Sequence, residues 1–191
     1  MTEKEIRIEL MRPFPDQAIL FRVDKKLKNG SYLVVPYLDV RYIIHRLNTM
    51  IPGEWELKTE ITPITVETTD KSGFLIVGHM AKAELTIMGK TMTGTGSSYL
   101  VFDNDLEKLK KQFIKADPKS AETDAIRRAA ANHSIGLYIW FFKNQIFATE
   151  EELKNRNSKP IQEALANLRI IGDKLYRQAK EYALGKKGGA E

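Results

Sequence analysis

The sequence predicts an α+β fold: a three-stranded antiparallel meander flanked by helices, in β-β-β-α order at its core, with an added C-terminal helix. Three observations predict it. Residues 55–66, 74–87 and 90–101 carry strand patterns, and Met88-Gly89 forms a tight turn between the last two. Residues 38–50 repeat apolar side chains at helical spacing, through Val40, Ile43, Leu47 and Met50. Residues 119–140 gather Ala121, Ala125, Ile126, Ala129 and Ala130 on one helical face, small enough to pack closely on a sheet.

The elements follow in order. Residues 1–12 read as a short helix or arm, broken by Pro13 and Pro15. Residues 16–22 read as one or two helical turns, and Asn29-Gly30 marks a turn. Asp39 suits the cap of the helix over 38–50, and Pro52-Gly53 ends it. In the meander, Trp55, Leu57 and Ile61 share one face, as do Leu75, Val77, Ala81, Ala83, Leu85 and Ile87. Pro63 suits an edge or bulge, and Gly94 and Gly96 mark a bulge or a close backbone approach.

A charged helix is expected at 104–115, stopped by Asp117-Pro118, and Gly136 weakens the helix over 119–140. Residues 149–158 read as a capped turn or a linker. Residues 159–184 form a last helix with a seam of Ile161, Leu165, Leu168, Gly172, Leu175, Ala179 and Tyr182. That seam suits packing on a neighbouring subunit or on the chain's own domain. Residues 185–191 read as a loose tail. The division expected is a domain over 1–148 and a helical extension with its tail over 149–191.

Composition narrows the function. The chain has 191 residues, 42% of them hydrophobic and 29% charged, enough for a packed core. Its net charge of +5 favours a polyanionic partner. With no cysteine, disulfides, thiolate zinc sites and a cysteine nucleophile are excluded. The opening MTEKEIRIEL is no signal peptide, and no apolar run reaches membrane-spanning length. The expected location is intracellular: cytoplasmic and nucleoid-associated, or that of a viral or plasmid product, with no membrane partner.

No catalytic constellation emerges. His45, His79 and His133 lie on three elements at no metal-ligand spacing. Gly89-Lys90-Thr91 resembles the end of a phosphate loop, but Glu84 stands where that loop needs glycine, and the segment is a hairpin turn. Glu150, Glu151 and Glu152 suit a helix start. Ser97, Ser98 and Ser134 have no visible base partner. A non-enzyme without metal or cofactor is expected.

Two basic groups suit binding. Arg127 and Arg128 stand beside Ala129–Ala131, which leave room for an extended polyanion, and guanidinium forks suit phosphate. The competing reading pairs them with Glu122 or Asp124 at helical spacing. Arg22, Lys25, Lys26 and Lys28 cluster near Tyr32 and Tyr37, a mixture that suits single strands, although a solvated loop reads the same way.

At residues 120–138, SAETDAIRRAAANHSIGLY resembles the signature helix of the single-strand annealing family, which includes Rad-fifty-two proteins, Sak-type phage annealases and the damage-response protein DdrA. Thr123, Asp124, Ala125, Ile126, Arg127, Arg128 and Ala129 match in order, and Ile135-Gly136 and Tyr138 match later positions. A second match, YLDVRYIIHRLNTMIPGEW, rests on Tyr37, Leu47, Asn48, Gly53 and Trp55. The family's usual Phe-Gly is His133-Ser134 here, and Leu137 replaces a frequent basic residue.

The resemblance covers roughly residues 14–142. It implies a homo-oligomeric ring that holds single-stranded DNA by its backbone in a basic groove and promotes annealing in recombination and double-strand break repair. It carries DNA contact over to Arg127 and Arg128, then to Arg22, with Lys25 and Lys26 as neighbours. A recombinase or single-strand-binding protein is a further expected partner. The alternatives are a 3'-end-protecting protein of the same fold without efficient annealing, and an oligomeric interaction module with no DNA role.

Overall fold

The structure is a computed structural model that describes residues 1–67, 74–103 and 117–185. It divides into two compact units: residues 1–50 with 134–191, and residues 51–133. Each contains one three-stranded sheet.

The expected meander lies in the second unit. Its strands, Trp55–Glu67, Phe74–Ile87 and Lys90–Asp103, are β3, β4 and β5 in chain order, because two strands of the first unit precede them. They pair antiparallel in the order β3-β4-β5. Ile87 pairs with Lys90 across the two-residue loop. Met88 and Gly89 both adopt positive φ, 50° and 77°, as a turn that follows the strand twist requires.

A helix, Pro118–Asn132, crosses this sheet. Asp117-Pro118 opens it. The Asp117 side chain accepts from the Lys119 N–H at 2.9 Å, and Pro118 occupies the first turn, where its missing N–H costs nothing. The helix expected at 104–115 lies outside the described residues. Ala121, Ala125, Ala129 and Ala130 are fully buried, facing Ala81, Ala83 and Leu85, which are also fully buried. Gly94 and Gly96 resolve as close backbone approach: a Cβ on Gly94 would lie 2.3 Å from the Ala125 oxygen and the Ala129 nitrogen, and one on Gly96 2.2 Å from the Ala121 oxygen.

This helix is shorter than the 119–140 expected. It ends at Asn132, where His133 places its Nε2 2.8 Å from the Leu85 carbonyl oxygen. Ser134 at φ 68° and Gly136 at φ 69° then leave the helical region, so the later apolar residues continue in a short 3-10 turn, Leu137–Ile139.

The first unit holds a sheet that the helical reading of 16–22 missed. Asp16–Ala18 is a single 3-10 turn, and the chain then extends as β1, Ile19–Lys26. β1 pairs antiparallel with β2, Tyr32–Leu38, which pairs with β6, Ile146–Ala148. One face of this sheet is core: Val34, Ile146 and Ala148 are buried with Ala164, and Phe21, Tyr32, Phe142 and Leu153 pack around them.

The helices of this unit are α1 (Glu3–Leu10), α2 (Val40–Met50), α4 (Glu150–Lys154) and α5 (Lys159–Ala183), with Pro118–Asn132 of the second unit as α3. Capping boxes at Thr2 and Thr149 start α1 and α4. Asp39 precedes α2, and its carboxylate accepts from the Arg41 N–H at 3.0 Å.

The first four residues of the α5 seam pack within their own unit, while Tyr182 at its end is 84% exposed. Ile161, Leu165, Leu168 and Gly172 are buried, and a Cβ on Gly172 would lie 2.8 Å from Pro13. The Tyr176 hydroxyl donates to Glu9, and Lys180 pairs with Glu9 at 3.2 Å, which fixes α5 against α1. Arg46 of α2 is a half-buried cation. It donates to the carbonyls of Leu10, Arg12 and Pro13 and lies 3.4 Å over the Phe14 ring. Burial lowers its pKa to about 10, which leaves it charged at neutral pH.

Candidate nucleic-acid interface

Each expected contact residue has a distinct environment. On α3, Asp124 sits one turn before the arginine pair and holds both members. Its carboxylate accepts from Arg128 Nε at 3.0 Å and lies 3.6 Å from Arg127. One carboxylate thus serves two guanidinium groups. The Arg128 side chain is 47% exposed and that of Arg127 only 14%, so Arg128 offers the more accessible fork.

The signature residues of α3 thus divide their work. Ala125 and Ala129 permit the close approach to Gly94, while Asp124 fixes the direction of the arginine pair. Glu122 has another partner, accepting from the Thr59 hydroxyl at 2.7 Å.

In the first unit, Arg22, Lys25 and Lys26 lie on β1 and Lys28 in the turn after it, and all four are exposed. Its register decides which cations act together. Arg22 pairs with Val35 and Val23 with Val34, then the register shifts so that Lys25 pairs with Leu33 and Lys26 with Tyr32. The shift is a bulge at Asp24. Strict alternation would send Arg22 and Lys25 to opposite faces, and the extra residue returns both to the outer face, away from the Val34 core. Lys26 turns to the other face, 5.7 Å over the Tyr32 ring. Among the described residues, Arg22 and Lys25 form no ion pair.

Charge is unequal between the units. The second unit carries 11 basic and 12 acidic residues, and the first 19 and 13, so the chain's positive excess belongs to the first. The second unit is thus mildly acidic with one arginine pair, and the first is basic, with Arg22 and Lys25 on an edge strand and, among the described residues, in no ion pair.

Sequence reasoning missed the outer face itself. Leu33, Val35 and Tyr37 of β2 share it with Arg22 and Lys25, and Phe147 of β6 joins them as the partner of Leu33. The run YLVVPYL, apolar in both strand phases, was the available signal. Among the described residues, no group of three or more His, Asp or Glu side chains could hold a metal ion, and no helix is long and apolar enough to cross a membrane.

Residues 2–160 match the family described as Rad52/22 family double-strand break repair protein. The chain belongs to that family. It is also similar to the single-stranded DNA-binding protein DdrA of Deinococcus deserti, with 25% identity over 161 residues, covering 84% of this chain and 69% of that protein. The family's region includes both sheets, all of α3 and both basic groups.

Proposed function

We propose that this protein binds single-stranded DNA through phosphate contacts and promotes annealing of complementary strands during recombination and break repair. The observation that carries the reading is the outward pair Arg22 and Lys25, free of ion pairs among the described residues, in a chain of the Rad52/22 family. Arg128, with Arg127 behind it, supplies the second contact, and Lys26 flanks the first. The likeness to a protein named for single-stranded DNA binding supports the same partner.

Annealing requires no bond chemistry. It requires phosphate charge to be neutralised while base sequence stays unread, and backbone contacts do both. Each chain presents few cations, so the proposed active form is a homo-oligomeric ring in which repetition supplies avidity. No catalytic residue, metal or cofactor enters this mechanism.

The test is annealing of two complementary labelled strands, followed with time with and without the protein. The proposal predicts a rate well above the unaided one. Binding without acceleration, together with protection of a 3' end from an exonuclease, would replace annealing by end protection. Absence of binding would leave an interaction module.

A further inference from the structure

We propose that the outer face of the β1-β2-β6 sheet is a base-stacking platform, with Phe147 as its aromatic surface and Arg22 and Lys25 as its phosphate clamps. The inference rests on the single-stranded DNA reading and adds a contact to the bases themselves.

A sheet face open to water ordinarily carries polar side chains. Here Leu33, Val35 and Phe147 occupy it, and Phe147 is 49% exposed. Its neighbours Ile146 and Ala148 are 5% and 1% exposed on the opposite face. They pin the strand, so the ring is presented by a rigid backbone, and ordering it on binding costs little entropy.

The cations complete the pattern. They line β1, two strand spacings or about 10 Å from β6, with the apolar side chains of β2 between. A strip of cations beside a strip of apolar and aromatic surface matches a single strand, with phosphates along one side and unpaired bases along the other. Stacking by the face of a base leaves its pairing edge open, so the contact orders a strand without blocking its complement.

The experiment uses the full chain and two labelled probes of equal length: a thymidine oligonucleotide, and an abasic strand that keeps the phosphates and sugars. Phe147→Ala is expected to weaken the thymidine strand about tenfold while leaving the abasic strand unchanged. Phe147→Trp is expected to restore wild-type affinity, and thermal melting is expected to show both variants folded. Equal loss on the two probes, or loss on neither, overturns the proposal while leaving the DNA-binding reading intact. A change in assembly size with unchanged DNA affinity also overturns it and assigns the face to a second copy. If wild type binds neither probe, the DNA reading fails and this inference with it.

Discussion

Replacing Gly94 with alanine should be among the most destabilising single changes in the second unit. The added Cβ would lie 2.3 Å from the Ala125 oxygen and the Ala129 nitrogen and 2.8 Å from the Arg128 Cβ, where ordinary contact begins near 3.4 Å. Two of the three atoms are helix backbone, so no rotamer change relieves the overlap. α3 must recede by about 1 Å, which loosens a layer of buried alanines. Overpacking costs about 1–3 kcal/mol, and a clash with backbone belongs at the upper end. Reduced freedom of the unfolded chain returns at most ~1 kcal/mol. The net loss of about 2 kcal/mol corresponds to a fall in melting temperature of roughly 8–16 °C for a unit of this size. Differential scanning calorimetry measures it, with Gly89→Ala as the comparison: that site has open space and only the strain of φ 77°. If Gly94→Ala melts within ~2 °C of wild type, or no lower than Gly89→Ala, the account of helix-on-glycine packing is wrong.

Other expectations concern single groups. Burial pushes the Tyr138 hydroxyl up to about 12, while it accepts from the Phe14 N–H at 3.2 Å. A folded-state pKa above the unfolded value of 10.0 means stability fully present below pH 10 and lost as pH rises through 12. The loss is ~2–3 kcal/mol, and urea titrations at stepped alkaline pH should show a flatter dependence for Tyr138→Phe. Arg46→Met leaves three backbone carbonyls without their guanidinium donor and should cost about 3 kcal/mol, read from the denaturation midpoint; a loss under ~1 kcal/mol would make Arg46 dispensable. Asp124→Asn removes the carboxylate charge shared by Arg127 and Arg128 and should tighten single-strand binding several-fold at low salt. Weaker binding would show that the carboxylate's positioning of the arginines outweighs its charge.

Much of the second unit was legible because its signals are local. The β4–β5 hairpin is written in alternation and in Met88-Gly89, and the helix that covers it in an unbroken small-residue face. The early end of α3 was less legible: apolar periodicity runs past Asn132, while the break depends on the left-handed backbone at Ser134 and Gly136. The first sheet was hidden for a different reason. β6 is three residues long and pairs with a strand more than a hundred positions earlier, a contact that no local window contains. DQAILFR also fits a turn and a strand equally, and only pairing with β2 decides.

The candidate site follows the same division. The type and position of Arg127 and Arg128 were readable, and so was the pairing with Asp124; that one carboxylate serves both arginines needed side-chain geometry. Arg22, Lys25 and Lys26 were readable as a basic cluster, but the bulge at Asp24 determines which two share a face. Bulges leave little trace in a sequence, since they are set by the partner strand.

The most direct test of the central claim is binding of a labelled single strand of ~40 nucleotides, by fluorescence anisotropy, across a range of salt. Three proteins are compared: wild type, Arg22→Ala with Lys25→Ala, and Arg127→Ala with Arg128→Ala. Wild type should bind single strands better than duplex, with affinity falling steeply as salt rises. Each folded double variant should lose affinity and show a shallower slope, by about 0.7 for each phosphate contact removed. Unchanged affinity and slope in both folded variants would contradict the account, because the DNA would then be held by neither basic group.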